Sequence, residues 1–212
     1  MPLFEYHCEI CGKLLWQRSS IVQEKDKNLL PEGDGDMKLV DILPVEKWIE
    51  IEKEINRRSG FNAGVYDDQG MRITEFKKWA NRLCPSIRET DKGLKFICSV
   101  AHQNVAAQVL RTRETVVDEC DAGLMKFAVP IFVDGKFLGV AGGCGKLRGQ
   151  GKVDAYLVHR TAGLDEKGIG ELAGDIEIIA EDKLESVITY VENKVDEVIE
   201  EFRVMAIEGV CQ

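Results

Sequence analysis

The chain has 212 residues and a formal net charge of −9, and its acidic residues concentrate after Asp165. Because phosphate binding needs clustered Lys and Arg, this charge argues against direct nucleic-acid binding. No apolar run reaches the roughly 18 residues of a membrane span, and the amino terminus lacks the basic-then-apolar order of a signal peptide. We therefore expect a cytoplasmic protein that binds neither nucleic acid nor membrane.

Composition divides the chain into four parts. Residues 1–17 form a cysteine-containing arm, and residues 18–43 are polar and glycine-containing, as is typical of a linker. The main domain is expected over residues 44–163, and an acidic helical region follows over residues 164–212. This length suits one domain with appendages and leaves ample material for a hydrophobic core.

The arm contains half of a zinc-ribbon motif. Cys8 and Cys11 stand in Cys-x-x-Cys-Gly, a spacing that lets the backbone turn around a metal ion, and this opening resembles FmdB-type regulatory ribbons. The next cysteine is Cys84, so the arm alone does not complete a tetrahedral ligand set. Two interpretations stay open: a zinc knuckle completed by distant residues or a second subunit, and a vestigial or redox-active dithiol arm.

The main domain opens with a predicted helix and hairpin. Apolar residues at spacings of three and four predict a helix that ends at Ser59-Gly60, and they are Val45, Trp48, Ile51 and Ile55. Residues 61–66 and 71–74 are predicted to be short strands joined by the turn at 67–70.

Two helices are predicted in the middle of the domain. The first begins near Pro85, and the second runs from about Asp91 with a core-facing stripe made of Leu94, Ile97, Ala101, Val105 and Val109. Cys98 and His102 are four residues apart on the second helix, so they share a face on which one metal ion could bind. The alternative is that both residues serve packing.

The clearest signal in the chain is a hairpin in its centre. The apolar runs 125–133 and 137–141 are joined by Asp134-Gly135, a dipeptide that readily adopts the positive backbone angles of a tight turn. Cys120 precedes the first run, and Cys144 follows the second among glycines, so we expect a thiol at each end of the hairpin.

The segment from Cys120 to Ile131, CDAGLMKFAVPI, resembles the PocR family of sensory domains, whose typical sequence motif is Cys-His-Ala-Gly-Leu-x-x-Phe-Ala-Val-Pro-Ile. The chain has Asp121 where the family often has histidine. The resemblance covers about residues 44–160 and implies an α+β, PAS-like fold, in which an antiparallel sheet and covering helices enclose a ligand cavity. It also implies sensing of small molecules such as simple diols, for which we expect a site made of Cys120, Asp121, Phe127 and Cys144.

Four cysteines belong to the predicted domain: Cys84, Cys98, Cys120 and Cys144. Three of them lie beside a turn, a glycine or a helix start, positions that a small apolar filler has no reason to favour. A metal ion or an iron–sulfur cluster, by contrast, needs thiolates that converge from separate elements. We therefore expect these four cysteines, with Cys8 and Cys11, to be metal ligands for zinc, an iron–sulfur cluster or another metallocofactor.

The carboxy-terminal helix carries apolar residues in an alternating four–three spacing, which are Leu184, Ile188, Val191, Val195, Val198, Phe202 and Met205. Such a seam keeps one face turned toward a partner helix, so it predicts a homodimer. The alternative is a long helix packed on its own domain.

The function expected from these features is that of a sensory, ligand-binding domain. No nucleophile elbow, phosphate loop or HExxH string is present, so we expect no enzymatic activity. No kinase, helix-turn-helix or cyclase segment follows the domain, so its output is expected in a separate protein. The alternative function is a metal- or iron–sulfur-binding redox protein in which the PAS-like shell is only a scaffold.

Overall fold

The computed structural model describes residues 4–7, 14–17 and 37–210. The first two segments are strands β1 (Phe4–His7) and β2 (Leu14–Gln17), which pair antiparallel with Phe4 opposite Gln17. Cys8 and Cys11 lie outside the described residues, so the structure does not test the predicted zinc knuckle. Within the described residues, no helix combines the length and the apolar character needed to cross a membrane.

The domain begins with two helices and a strand. Helix α1 (Leu39–Ile42) lies within the predicted linker, but Leu39 and Ile42 are buried in the core. Helix α2 (Val45–Ser59) is confirmed, and it ends at Gly60, whose φ of 73° is a conformation that glycine adopts without strain. Strand β3 (Asn62–Asp67) follows as predicted.

The predicted partner strand at 71–74 is wrong, because only an isolated bridge joins Tyr66 to Arg72. The cause is the buried carboxylate of Glu52, whose Oε1 accepts hydrogen bonds from the Val65 backbone N–H at 2.8 Å and from the Thr74 hydroxyl at 2.5 Å. The backbone N–H of Val65 is therefore already bonded, and the pairing does not extend beyond the Tyr66–Arg72 bridge.

The middle segment is helical, as predicted. It consists of α3 (Leu83–Arg88), α4 (Asp91–Gly93), a π-helical turn (Leu94–Ser99) and α5 (Val100–Thr112). A π turn accommodates an extra residue, which changes the angle at which the preceding side chains leave the axis. The predicted stripe is accordingly buried from Ile97 to Val109, whereas Leu94 is exposed.

One sheet forms the centre of the domain. It is built from β3, β4 (Val116–Glu119), β5 (Met125–Val133) and β6 (Lys136–Arg148) in the order β3-β6-β5-β4, and β7 (Ile178–Ile179) adds a short parallel pairing to β6. The predicted turn at Asp134-Gly135 is confirmed, and both of its residues have positive φ.

Strand β6 is longer than predicted, because it continues through Gly142, Gly143 and Cys144. These glycines permit close approach of the neighbouring strands: a Cβ atom on Gly142 would lie 2.0 Å from the carbonyl oxygen of Phe127. Cys144 therefore lies inside the sheet, between Asn62 of β3 and Lys126 of β5, rather than at a bend after the hairpin.

Helices cover both faces of the sheet. One face, which we call the packed face, meets α2 and α8 (Glu181–Val210) in a core of large apolar side chains. The other, which we call the thiol face, meets α5 and the π turn, with α3, α6 (Ala155–Ala162) and α7 (Glu166–Ala173) around a second core. The architecture is the expected α+β arrangement of an antiparallel sheet, covering helices and a long carboxy-terminal helix.

Much of the predicted dimer seam in α8 is buried inside the chain itself. Four of its residues, Leu184, Val191, Val195 and Val198, are at most 3% exposed in the core of the packed face. Beyond them the helix has exposed apolar residues, namely Val204, Met205 and Ile207. Packing on its own domain thus accounts for most of the seam, and the dimer stays a prediction that rests on the last turns.

Candidate functional site

The four domain cysteines come from four separate elements. Cys84 lies in α3, Cys98 in the π turn, Cys120 in the turn after β4, and Cys144 in β6. All four are free thiols of intermediate exposure. Three of them, Cys84, Cys98 and Cys120, pack against the same core cluster. The Asn81 amide bonds both the Cys84 sulfur and the carbonyl of Gly145, the residue after Cys144. We call this group the cysteine site.

An asparagine fixes the Cys84 side of the site. The Asn81 side-chain oxygen accepts a hydrogen bond from the backbone N–H of Cys84 at 2.8 Å, at the start of α3. Its amide nitrogen donates to the Gly145 carbonyl at 2.6 Å and to the Cys84 sulfur at 3.3 Å. Asn81 therefore joins the start of α3 to strand β6 and presents an N–H donor to a thiol.

Cys98 and Cys144 lie in irregular parts of the backbone. The π turn carries Cys98, and such turns are frequent at functional sites. In the sheet, Met125 pairs with Lys146 whereas Lys126 pairs with Cys144, so Gly145 has no partner and forms a bulge beside the thiol. A bulge bends its strand and redirects the neighbouring side chains. Gly145 has a φ of 99°, which a residue with a side chain rarely adopts.

Burial dominates the titration of the thiols. It raises the pKa of Cys98 to about 12, and it also raises the pKa values of Cys84, Cys120 and Cys144. Opposing groups favour the thiolates: the cations of Arg88 and Lys126 lower the pKa of Cys98 and Cys144. The thiols are therefore protonated at neutral pH, and a metal ion would displace their protons on binding.

Lys126 is the buried cation of this region. It is 3% exposed, lies opposite Cys144 in the sheet, and donates to the carbonyl oxygen of Ala101 in α5. Burial lowers its pKa, whereas negative charge on Cys144, Cys120, Asp118 and Asp121 would raise it. A buried ammonium group is costly unless it is paired, so the negative groups near Lys126 are those that would offset its charge: the carboxylates of the groove and a thiolate at Cys144.

His102 does not join Cys98 as the sequence allowed. Its ring stacks on Tyr66 at a centroid distance of 4.0 Å, and its Nε2 lies 3.1 Å from the Tyr66 hydroxyl. Burial, with the charges of Lys126, Arg88 and Arg72, lowers the pKa of His102 to about 3. His102 is thus a neutral packing partner on the thiol face.

Two expected ligand residues are placed differently from the cysteines. The Phe127 ring packs edge to face on Phe61, 5.4 Å away, within the core of the packed face, so the structure does not bring it to the cysteine site. Asp121 is exposed and lines an open groove with Asp118, Glu119 and Lys126. Of the four expected ligand residues, only Cys120 and Cys144 belong to the cysteine site.

The expected ligand cavity on the thiol face is nearly filled. Between Tyr66, His102 and Lys126 the free volume is about 10 Å³, which is space for one water molecule at most. A diol would not fit there without a rearrangement of these side chains. The open groove lined by Asp118, Glu119, Asp121 and Lys126 is larger, with a free volume of about 260 Å³.

Sequence reasoning missed three polar residues of the site: Lys126, Asn62 and Asn81. Lys126 had a visible signal, since a charge in the middle of the apolar run 125–133 is unusual unless it is paired. Asn62 is 8% exposed and Asn81 is 9% exposed, but nothing in the local sequence distinguishes them from surface amides.

The described residues contain no group of three or more His, Cys, Asp or Glu side chains placed to hold one metal ion. The predicted metal set of Cys84, Cys98, Cys120 and Cys144 therefore stays a prediction, and Cys8 and Cys11 lie outside the described part of the chain.

Comparison with known families gives one match. The model of the family described as the sensory domain found in PocR covers residues 41–202, which is more than half of the chain and includes most of α8. No curated protein and no solved structure matches the sequence.

Proposed function

Because the chain belongs to the family of sensory domains found in PocR, we propose that it senses a small molecule or a metallocofactor at the cysteine site and signals to a separate protein. The observation that supports the proposal is that Cys84, Cys98 and Cys120, free thiols of three elements, pack against one core cluster. Asn81 connects Cys84 to Gly145, the residue after Cys144. The domain acts by binding rather than by catalysis, and free thiols suit the reducing cytoplasm in which we place it.

A short structural route leads from the site to α8. Cys144 lies in β6, and Lys146, two residues further on, pairs with Glu177. The next residue, Leu147, pairs with Ile178 in β7. Arg148 then makes two hydrogen bonds, of 2.9 and 3.0 Å, to the Glu181 carboxylate in the first turn of α8.

This route supplies the proposed mechanism. Occupation of the site would favour one position of β6, and the contacts that follow Cys144 would pass that preference to the start of α8. The exposed apolar end of α8, around Met205, is where a second copy or an output partner would respond.

The test is anaerobic purification followed by measurement of metal content, absorption spectrum and thermal shift with small diols. We expect the wild-type protein to hold a bound group, and we expect a variant with serine at Cys84, Cys98, Cys120 and Cys144 to lose it. The matched control replaces Cys8 and Cys11 by serine and retains it.

Equal occupancy in the wild type and the four-serine variant would contradict the proposal. Loss of the group in the Cys8/Cys11 control alone would also contradict it, because the binding thiols would then belong to the arm. Circular dichroism of each variant shows that the comparison is made between folded proteins.

A further inference from the structure

An open cavity lies between the end of α2, the segment before α3 and the beginning of α8. Its free volume is about 450 Å³, within the roughly 300–1,000 Å³ of ordinary small-ligand sites. It is lined by the carboxylates of Asp175 and Glu177 and by five cationic side chains, which are Arg57, Arg58, Lys78, Lys146 and Lys183. We call it the cationic cavity, because its surplus of positive charge contrasts with the formal net charge of −9 of the whole chain.

The cations of the cavity are only partly neutralised by the protein. Glu54 is shared by Arg57 at 2.6 Å and Arg58 at 2.7 Å, so one carboxylate faces two guanidinium groups. Lys78 and Lys183 form no ion pair with any residue that the structure describes. Positive charge is therefore left for a bound anion.

The two carboxylates of the cavity differ in how they are held. Asp175 pairs with Arg82 at 2.9 Å, whereas Glu177 pairs with Lys146, whose side chain is 7% exposed. The Glu177 side chain is 73% exposed, so it would stay hydrated if another anion took its place. A phosphate group carries up to two charges and has more acceptor oxygens than a carboxylate, so it is the stronger partner for a buried ammonium group.

The backbone around Lys146 is held in place. The buried Asn56 amide donates to the Phe61 carbonyl at 2.6 Å and to the Lys78 carbonyl at 3.5 Å, which ties the end of α2 to the segment before α3. Gly60 lies against the ammonium group, since a Cβ atom there would be 3.2 Å from the Lys146 Nζ. The carboxyl-terminal end of a helix favours a cation, which accounts for Lys146 as part of the fold but not for the unpaired Lys78.

The cavity also has an aromatic wall. Trp79 lines it next to Lys78 and is 36% exposed. A partly exposed indole ring offers a surface on which a planar base can stack, and lysine is a common phosphate-binding residue. A ring and several ammonium groups in one cavity suit a ligand that combines a base with a phosphate.

We propose that the cationic cavity binds a single nucleotide, whose phosphate replaces the Glu177 carboxylate on Lys146 and whose base lies against Trp79. Lys78 and Lys183 supply the remaining positive charge. The pair formed by Lys146 and Glu177 belongs to the route from β6 to α8, so a nucleotide would act on the same helix as a group bound at the cysteine site. The nucleotide site does not depend on what the cysteine site binds.

The first experiment is isothermal titration calorimetry of the full chain with AMP, glycerol 3-phosphate and inorganic phosphate. We expect AMP to bind most tightly, because the other two lack a ring. Trp79→Leu should weaken AMP binding about tenfold and leave glycerol 3-phosphate binding unchanged. Equal affinity for AMP and inorganic phosphate would mean an adventitious ion only, and no binding of AMP would overturn the proposal outright.

The second experiment removes cations from the cavity. Lys146→Met should weaken AMP binding by about 10–100-fold, because a charge-assisted hydrogen bond is lost. Lys183→Met, an exposed position that keeps the fold, should weaken it by about twofold to fivefold. Lys167→Met is the control, since this lysine of α7 is 88% exposed and does not line the cavity. Unchanged binding in the Lys146 and Lys183 variants would place the nucleotide elsewhere.

The third experiment tests the exchange of anions on Lys146. Glu177→Gln removes the competing carboxylate, so AMP should bind several-fold more tightly than to the wild type. Glu171→Gln removes the same charge from an exposed position in α7 and should change the affinity little. An equal gain in both variants would assign the effect to net charge and overturn the exchange.

The nucleotide site and the proposed function fail separately. The variant with serine at Cys84, Cys98, Cys120 and Cys144 should bind AMP as the wild type does. Loss of AMP binding in that variant would move the nucleotide to the cysteine site and overturn the cationic cavity. A wild-type protein with an empty cysteine site that still binds AMP would contradict the proposed function and leave this inference in place.

Discussion

The two faces of the central sheet differ in what they bury. The packed face buries mainly large apolar side chains such as Trp48, Phe61 and Ile131, and its buried Glu52 carboxylate is bonded to Val65 and Thr74. The thiol face buries Lys126, Asn62, Asn81 and Tyr66, it holds His102 half-buried against Tyr66, and it leaves four thiols partly accessible. Apolar burial stabilises a fold, whereas polar burial costs free energy unless each group has a partner. The comparison indicates that the packed face supplies most of the apolar burial, and it is the thiol face that carries the proposed binding site.

The largest expected effect is on the packed face. Trp48 is 0% exposed, and its indole N–H donates to the Leu39 carbonyl at 3.1 Å. Trp48→Ala should lower the free energy of unfolding by about 3–5 kcal/mol, measured by urea denaturation. The matched control is Trp79→Ala, because Trp79 is 36% exposed and the Arg88 guanidinium carbon lies as far as 5.7 Å from its ring centroid. Equal losses in the two variants would show that burial on the packed face is not the source of stability.

The next effect concerns close packing on the thiol face. Gly142→Ala places a Cβ atom 2.0 Å from the Phe127 carbonyl oxygen, and the resulting displacement of a strand should cost about 1–3 kcal/mol. Gly170→Ala is the control, because a Cβ atom at this position in α7 would meet no described neighbour within 4 Å. That substitution should stabilise the helix by roughly 0.5–1 kcal/mol. Thermal unfolding of the two variants measures the loss of stability at Gly142 and the gain at Gly170. Unchanged stability of the Gly142 variant would mean that the strands are not held closely here.

A smaller effect depends on pH and on His102. Its pKa falls from the ordinary 6.5 to about 3 in the folded chain, because burial and the nearby cations Lys126, Arg88 and Arg72 disfavour the charged ring. Between pH 6.5 and about 3, His102 binds a proton in the unfolded chain but not in the folded chain. Stability is therefore lost toward acid, by up to about 1.4 kcal/mol per pH unit.

His102→Gln removes that titration and keeps a group able to bond the Tyr66 hydroxyl. Denaturation at a series of pH values between 6.5 and 3 should give a shallower acid slope for the variant than for the wild type. Identical slopes would place the acid sensitivity of the thiol face on other groups.

The smallest effect on stability is expected at the end of α8. Met205 is 58% exposed, so Met205→Ser should change the free energy of unfolding by no more than about 0.5 kcal/mol. If the last turns form the proposed dimer interface, sedimentation should show a smaller dimer fraction in this variant. Val195→Ser, in the buried part of the same helix, should instead destabilise the monomer fold. A Met205 variant with unchanged association would remove the interface from this end of the helix.

Local pattern predicted most of the elements. The spacing of Trp48, Ile51 and Ile55 and the Asp134-Gly135 turn each carry a signal in adjacent residues, and both were confirmed. The strand at 71–74 was wrong because Glu52, distant in sequence, takes the Val65 donor. A local sequence pattern does not show that a distant side chain competes with a neighbouring strand for a backbone N–H.

The surroundings of the thiols were predictable only in part. Cys84 lies at a helix start and Cys120 in a turn, as expected, whereas Cys144 lies inside strand β6. Phe127 was assigned to the site from its place in the motif, but the alternation of side chains along β5 sends it to the packed face and sends Lys126 to the thiols. The roles of Asn62 and Asn81 depend on contacts across 82 and 64 residues, which periodicity does not encode.

Deletion of a single residue from the π turn at Leu94–Ser99 would take one thiol away from the cysteine site. A π turn holds one residue more than a regular helix needs, so deletion of a single codon within it would allow a continuous α-helix to form. Each residue advances a helix by roughly 100°, so that deletion would rotate Cys98 away from the other three thiols while α5 kept its packing. A related chain could thus lose the fourth thiol of the site without any substitution of a cysteine and without loss of the fold.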